Sequence, residues 1–209
     1  MDWTALYLKT SGLKVFILGT GEVATRRANK FLNHGAIVKL AGNSIDKELQ
    51  EKGAELHSTD EVDDLVKWCD LVVVASGDKE LCNHVSNISA EKLVNRADEP
   101  NSGDIIVPTS FNIGDVEISI FTGGKSPLMA RQLRKKIQST ITEEDIIEIE
   151  LQDYSRSLLK ETIPNQKDRR DYLYKIFEDE NIQDLIKARE IDKAKAVICE
   201  LIKGDFDDT

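Results

Sequence analysis

An α/β fold, with a parallel sheet and helices on both faces in the first half and helices in the last third, is predicted by three features of this 209-residue chain. Short apolar runs alternate with segments of helical spacing up to about Pro100. The run Val15-Phe16-Ile17-Leu18 leads straight into Gly19-Thr20-Gly21-Glu22-Val23-Ala24, a G-x-G-x-x-A turn that opens a helical pattern. A second run, Leu71–Ala75, is apolar throughout, as a strand covered on both faces is.

The elements follow in order. Val15–Leu18 reads as the first strand. Glu22–His34 reads as a helix, with Val23, Ala24, Ala28, Phe31 and Leu32 on one face and Gly35 after its end. Ile37–Ala41 is the second strand, Glu48–Lys52 a short helix, and Glu55–His57 a short third strand. Val62–Lys67 is helical or turn-like, and Leu71–Ala75 is the fourth strand. Lys79–Asn87 has helical spacing, with Leu81, Val85 and Ile88 apolar, and Leu93–Asn95 is another short strand. After Pro100 the pattern changes. Ile105–Val107 and Val116–Phe121 are β-rich, with Gly114-Asp115 as a hairpin turn between them. Thr122–Pro127 is a loop, and Pro127 suits the first turn of the next helix, Leu128–Gln138, which places Leu128, Leu133 and Ile137 inside. From Glu143 to Lys203 the pattern is helical, broken at Pro164. Ile146, Ile149, Tyr154, Leu158 and Leu159 offer apolar contacts. The expected layout is a dinucleotide-binding domain over residues 1–110, a β/helix region over 111–142 and a helical domain over 143–209.

The glycine turn carries the most chemistry. Gly19 permits a sharp turn, Gly21 leaves the main chain open to a pyrophosphate, and Ala24 lets the helix pack close to the strand. The helix N-terminus offers free N–H groups and partial positive charge to phosphates, so Gly19, Thr20, Gly21, Glu22, Val23 and Ala24 are candidate cofactor contacts. A usual NAD fold has an acid at the end of the second strand for the ribose hydroxyls. Here the strand ends Leu40-Ala41-Gly42-Asn43, so Asn43 or Ser44 serves instead, and the lack of an arginine disfavours NADP.

Net charge is −10. Residues 141–209 hold 19 acids and 11 bases, so the acidic excess lies there and speaks against general nucleic-acid binding. Lys125, Arg131, Arg134, Lys135 and Lys136 form a local basic cluster. No apolar run approaches the ~20 residues of a membrane span. The start lacks the pattern of a signal peptide, and three scattered cysteines (Cys69, Cys82, Cys199) fit a reducing compartment. A cytoplasmic location is expected. His34, His57 and His84 show no metal-binding spacing, and no metal site is expected.

Four segments resemble the family of precorrin-2 dehydrogenases and sirohydrochlorin ferrochelatases, which includes the N-terminal module of siroheme synthases. They are Gly19–Arg27, similar to a glycine turn followed by V-A-x-R-K, and Val73-Val74-Ala75-Ser76-Gly77-Asp78. The third is Val94-Asn95-Arg96-Ala97-Asp98-Glu99-Pro100, similar to V-N-x-x-D-x-P, with Pro108 beyond it. The fourth, Ser119–Arg134, is similar to S-T-G-G-K-S-P-x-L-A-R-x-L-R and is the most specific. Arg169-Arg170-Asp171-Tyr172 matches more loosely. No methyltransferase module follows, as in a short stand-alone form. Family members often carry Cys-Asp-Phe before this proline, but the run here is Ser102-Gly103-Asp104-Ile105-Ile106-Val107-Pro108, and the aromatic is missing.

The resemblance implies a Rossmann-type N-terminal domain, a central dimerisation region, a homodimer, NAD as cofactor, and oxidation of precorrin-2, a tetrapyrrole with eight carboxylates, to sirohydrochlorin. It implies Asp98 as general base. Asn95, Ser76, Gly77 and Asp78 would line the cofactor. Thr122, Gly123, Gly124, Lys125 and Ser126 form a donor-rich loop for substrate carboxylates, and Arg131 and Arg134 suit two-pronged pairing with others. Arg26 and Arg27 read as solvated or interdomain charges. Alternatives are an enzyme that also inserts iron, or a non-catalytic module that senses NAD or carries tetrapyrrole.

Overall fold

The computed structural model describes residues 3–207, with side chains described through Gly204. It divides into two compact units, residues 1–108 and 109–209.

In the first unit the strands are β1 (Lys14–Leu18), β2 (Ile37–Ala41), β3 (Glu55–His57), β4 (Leu71–Val74) and β5 (Leu93–Arg96). Among the described residues these five form one parallel sheet in the order β3-β2-β1-β4-β5. The helices are α1 (Glu22–Asn33), α2 (Lys47–Glu51), α3 (Val62–Trp68) and α4 (Lys79–Ile88). Alternation along β1 and β4 explains why both read as unbroken apolar runs. Val15, Ile17, Leu71 and Val73 join Ala24, Ala28 and Phe31 of α1 in one core. Phe16, Leu18, Val72 and Val74 join Leu65 and Val66 of α3 and Val85 of α4 in the other. The chain winds outward through β2 and β3, then returns to β4 beside β1. Strand order therefore reverses between β1 and β4, and ligands of open α/β sheets bind beyond the carboxyl ends at such a point.

The second unit begins with a hairpin of β6 (Thr109–Ile113) and β7 (Val116–Ile120), a separate antiparallel pair. Its turn is Gly114-Asp115, with Gly114 at φ +52°. The expected first strand, Ile105–Val107, is not a strand. The N–H groups of Asp104 and Ile105 both donate to the Val94 carbonyl, at 2.8 and 3.2 Å, and Asn95 Nδ2 donates to the Ile105 carbonyl. These bonds clamp the segment along β5, while Ile105 and Val107 pack on the first core.

Helix α5 (Pro127–Gln138) starts with Ser126 as its cap, whose Oγ accepts from Met129 N. Its expected inner face is corrected: Leu128 is 64% exposed, Leu133 is exposed and Ile137 is half-buried, while Ala130 is buried. Helical spacing marks one apolar side of α5 without saying what covers it. The remaining helices are α6 (Glu143–Thr162), α7 (Gln166–Phe177), α8 (Glu180–Lys187) and α9 (Ile191–Asp207). Ile147, Leu151, Leu159, Ile176, Ile182, Ile186 and Ile198 form their core. Ile149, expected among the contacts, faces solvent, and Ile146 packs on Gly114 instead. Besides the break at Pro164, the helices part at Asp179, which caps α8 through Ile182 N, and at Arg189, which adopts φ +59°.

Candidate functional site

The register aligns the strand ends. Leu18 lies beside Ala41 and Val74, and Val74 lies beside Arg96. Each next residue adds one more rung: Gly19 N donates to the Ala41 carbonyl, Ala75 N to Leu18, and Ala97 N to Val74, at 2.8–2.9 Å. Residues 19–24, 42–44, 75–78 and 97–98 therefore leave the sheet along one edge.

Gly19 holds φ +112°, and a Cβ there would lie 2.4 Å from the Ala75 carbonyl oxygen. Only glycine fits so close an approach of two strand ends. Gly21 is the N-cap of α1, and a Cβ on it would meet nothing within 4 Å. No side chain caps α1, so its first N–H groups are free for an oxyanion. Buried Ala24 keeps α1 close to the sheet. Glu22 and Val23 are exposed at the turn and Thr20 is half-buried. At the end of β2, a Cβ on Gly42 would lie 2.5 Å from Thr20 Cγ2. That close packing of two loops went unread in the sequence. Asn43 and Ser44 are exposed just beyond it. The residues present thus fit a dinucleotide: a ligand-open glycine turn, an uncapped helix and polar side chains at the second strand's end.

After β4, Ser76 Oγ accepts from Asp78 N, and Asp78 Oδ1 accepts from Leu81 N, capping α4. The Asp78 carboxylate is thus committed to the helix, while Gly77 is exposed. At β5, Asn95 is 3% exposed. Its Nδ2 donates to the Ile105 carbonyl at 2.9 Å, and its Oδ1 is buried with no donor. Turning the amide over would set two oxygens face to face, so the carbonyl end is the unpaired one.

Arg96, absent from the sequence reading as a functional residue, organises the next turn. Its Nε donates to Asp98 Oδ1 at 2.9 Å and its Nη2 to Asp98 Oδ2 at 2.7 Å, a two-pronged pair. Nη2 also reaches Asn83 Oδ1 at 3.3 Å. The Arg96 side chain is 7% exposed and that of Asp98 22%. The guanidinium holds the Asp98 carboxyl below its ordinary 3.8, against the opposing effect of burial. The R-x-D spacing was the available signal. Gly103 completes the corner: a Cβ there would lie 2.7 Å from the Val94 oxygen and 2.9 Å from Arg96 N.

Because the folded pKa of Asp98 is lowered, the pair stabilises the fold above the ordinary carboxylate pKa. That contribution is lost as pH falls through the folded value. Replacing Arg96 with Met should cost about 1–2 kcal/mol at neutral pH, the range for losing a charge-assisted, part-buried pair whose carboxylate partner still reaches solvent. Denaturant titrations should show this difference shrinking below about pH 4. A pH-independent difference would mean that packing alone is lost.

Arg27 departs from the solvated reading. Its Nε is buried without a partner, and burial, then Arg26, pulls its pKa down to about 10. At neutral pH the group stays charged, so enclosing it costs the fold stability throughout the neutral range. Arg27→Met should therefore raise the melting temperature, by roughly 2–4 °C for ~1 kcal/mol. A lower melting temperature would reveal a structural role for the guanidinium.

In the second unit, Thr122 Oγ1 accepts from Ser126 N and donates to the Ser126 carbonyl, closing a tight loop. Gly123 and Gly124 take φ +66° and +73°. Lys125 and Arg131 are exposed, and Arg134 lies over the Phe111 ring at 5.2 Å, with Nε 3.4 Å from Gln138 Oε1. The histidines are tied apart: His34 to the Lys30 carbonyl, His57 to Glu61 and Glu55, and His84 to Asp63.

Residues 6–109 match a protein family described as "Putative NAD(P)-binding". A protein of Methanocaldococcus jannaschii named "Putative precorrin-2 dehydrogenase" is 34% identical over 196 residues, covering 87% of this chain and 93% of its own. "Precorrin-2 dehydrogenase" of Methanosarcina barkeri is 32% identical, covering 87% and 85%. "Siroheme synthase" of Nitrosococcus oceani is 28% identical over 99% of this chain, which spans 45% of that longer protein. Among solved structures, "SirC, precorrin-2 dehydrogenase" superposes with a TM-score of 0.75 at 24% identity, covering 93% of this chain and 99% of that one. That likeness establishes a shared fold.

Proposed function

The chain belongs to the precorrin-2 dehydrogenase family, and from that premise we propose how its residues divide the oxidation of precorrin-2 to sirohydrochlorin. The observation that carries the reading is the single sheet edge where the ligand-open turn at Gly21, after β1, and the Arg96–Asp98 pair, after β5, stand on either side of the end of β4.

NAD, when bound, supplies the acceptor for the hydride. The N–H groups at the start of α1 hold the pyrophosphate, and Gly21 lets it approach. Asn43 and Ser44 take the ribose hydroxyls in place of the missing acid. Ser76 and Gly77 border the cofactor, with Asp78 fixing their loop through its cap on α4. Asn95 orients the Asp98 loop beside the nicotinamide, through its bond to the Ile105 carbonyl. Thr122–Ser126, Arg131 and Arg134 hold substrate carboxylates.

Asp98 takes up the proton. Its pairing with Arg96 makes it a weak base that stays ionised at neutral pH. A weak base suffices here. Hydride departure leaves the tetrapyrrole cationic, and a cation sheds its proton readily. A carboxylate fixed nearby also stabilises the developing positive charge.

Iron insertion is not favoured, since the relatives that this chain matches over most of both lengths are named for the dehydrogenase. Among the described residues no helix is long and apolar enough to cross a membrane. The buried thiols, with Cys69 pushed up to about 11, suit the cytoplasm. The exposed apolar residues Leu128, Met129 and Leu133 of α5 support a homodimer through the central region, which sedimentation would test. The activity is tested by anaerobic incubation with precorrin-2 and NAD, following NADH and the sirohydrochlorin spectrum together. Stoichiometric appearance of both is expected, and NAD binding without NADH formation would reject the reading.

A further inference from the structure

The helical unit carries a cationic cavity that the dehydrogenase chemistry does not use. Where α6 gives way to α7, a cavity of about 590 Å³ is lined by Arg156, Lys160, Lys167, Arg169 and Arg170. No acid lines it. Residues 141–209 hold 19 acids against 11 bases, so nearly half the bases of an acidic region converge on one concavity. The acids Glu161 and Asp168, adjacent in sequence to Lys160 and Lys167, make no ion pair with them.

The cations are largely uncommitted. The side chains of Arg156, Lys160 and Lys167 have no hydrogen-bond or ion-pair partner among the described residues. Arg169 is fixed: its Nη1 donates to the Ile163 and Pro164 carbonyls at 2.7 and 2.8 Å. One guanidinium is thus locked to the interhelix turn, while flexible cations stand around it. Among the described residues Arg170 reaches only Asp171, at 3.6 Å. Leu159, fully buried, and Leu173 supply an apolar floor. Gathering five like charges against one distant counter-charge, Asp171, raises the energy of the empty state, and a multiply charged anion relieves it.

We propose that this cavity binds a small organic polyanion, a molecule with at least two carboxylate or phosphate groups on a compact apolar body. The volume is that of small-molecule sites, and arginine forks suit either oxyanion. The proposal does not depend on the dehydrogenase reading, because none of these residues is placed in that machinery.

The test is citrate and inorganic pyrophosphate titrated into the full-length protein at low salt, followed by calorimetry and amide chemical shifts. Binding is expected with shifts centred on Arg156, Lys160 and Lys167, weakening as salt rises. Acetate, with a single charge, should not compete. Arg156 and Lys160 are exposed, so the double variant Arg156→Glu/Lys160→Glu should fold and lose roughly tenfold or more in affinity. A charge-matched control, Lys187→Glu/Lys193→Glu, should bind as the parent does. NAD affinity should be equal in all three proteins. Citrate preferred to pyrophosphate would point to a polycarboxylate ligand, and the reverse to a phosphorylated one. Absence of binding, equal binding of acetate, or equal losses in both double variants would overturn the proposal.

Discussion

Asp98→Asn should lower the turnover of precorrin-2 by roughly 10²–10⁴-fold while leaving NAD affinity near that of the parent. The substitution keeps the shape of the side chain and one acceptor for Arg96. It removes the negative charge and the site for the proton. The effect should therefore fall on kcat, because charge develops on the substrate only as the hydride leaves. Arg96→Met gives the complementary result. It releases Asp98 from the cation that lowers its pKa, so the acid limb of the kcat profile should move up toward the ordinary carboxylate range. An Asn variant that turns over normally would remove Asp98 from the mechanism. A parent and an Arg96→Met variant with the same acid limb would show that another group governs it.

Gly19→Ala and Gly21→Ala should fail in different ways, although both sit in one turn. At Gly19 a methyl group would press 2.4 Å from the Ala75 oxygen and 2.8 Å from its carbon, on a backbone at φ +112°. Both contacts are backbone at the sheet's edge, where Ala75 N is bonded to the Leu18 carbonyl, so neither can swing aside. The backbone penalty alone is ~1–3 kcal/mol, and the collision adds to it. Gly19→Ala should unfold at markedly lower denaturant and bind NAD poorly. At Gly21 the methyl meets nothing within 4 Å, and φ is −78°. Gly21→Ala should keep the parent's melting temperature and lose NAD affinity, because the methyl occupies the space a phosphate needs. Equilibrium unfolding and fluorescence titration with NAD separate the two. A Gly21→Ala protein that binds NAD as tightly as the parent would place the pyrophosphate elsewhere.

Much of the first unit was legible because strands buried on both faces leave an unambiguous trace. Val15–Leu18 and Leu71–Val74 are uniformly apolar, and the glycine turn follows the first of them. The same rule misled at Ile105–Val107. Apolar, β-branched residues there pack on a core, but the N–H groups of Asp104 and Ile105 are both spent on the Val94 carbonyl, so no ladder forms. On α5, spacing identified Leu128 and Leu133 as one side of a helix, but periodicity carries no information about whether that side is covered. The candidate base was found through family resemblance, whereas its controlling partner Arg96 was not, because a pairing two residues apart depends on how the chain turns after β5. The enclosure of Arg27 was hidden for a related reason: composition says that arginines are exposed, and only packing shows one whose Nε is enclosed. Gly42 and Gly103 were passed over because their constraint comes from approaching backbone and side chains, not from a turn of their own.

The two units each enclose a core of their own. Amide hydrogen exchange should then resolve two cooperative opening events with separate free energies. Damage at Gly19 would speed exchange across the parallel sheet and leave the amides of α6 and α9 as slow as before. Loss of the cofactor-binding unit would thus be compatible with a helical unit that persists long enough to be recognised, refolded around, or degraded on its own schedule.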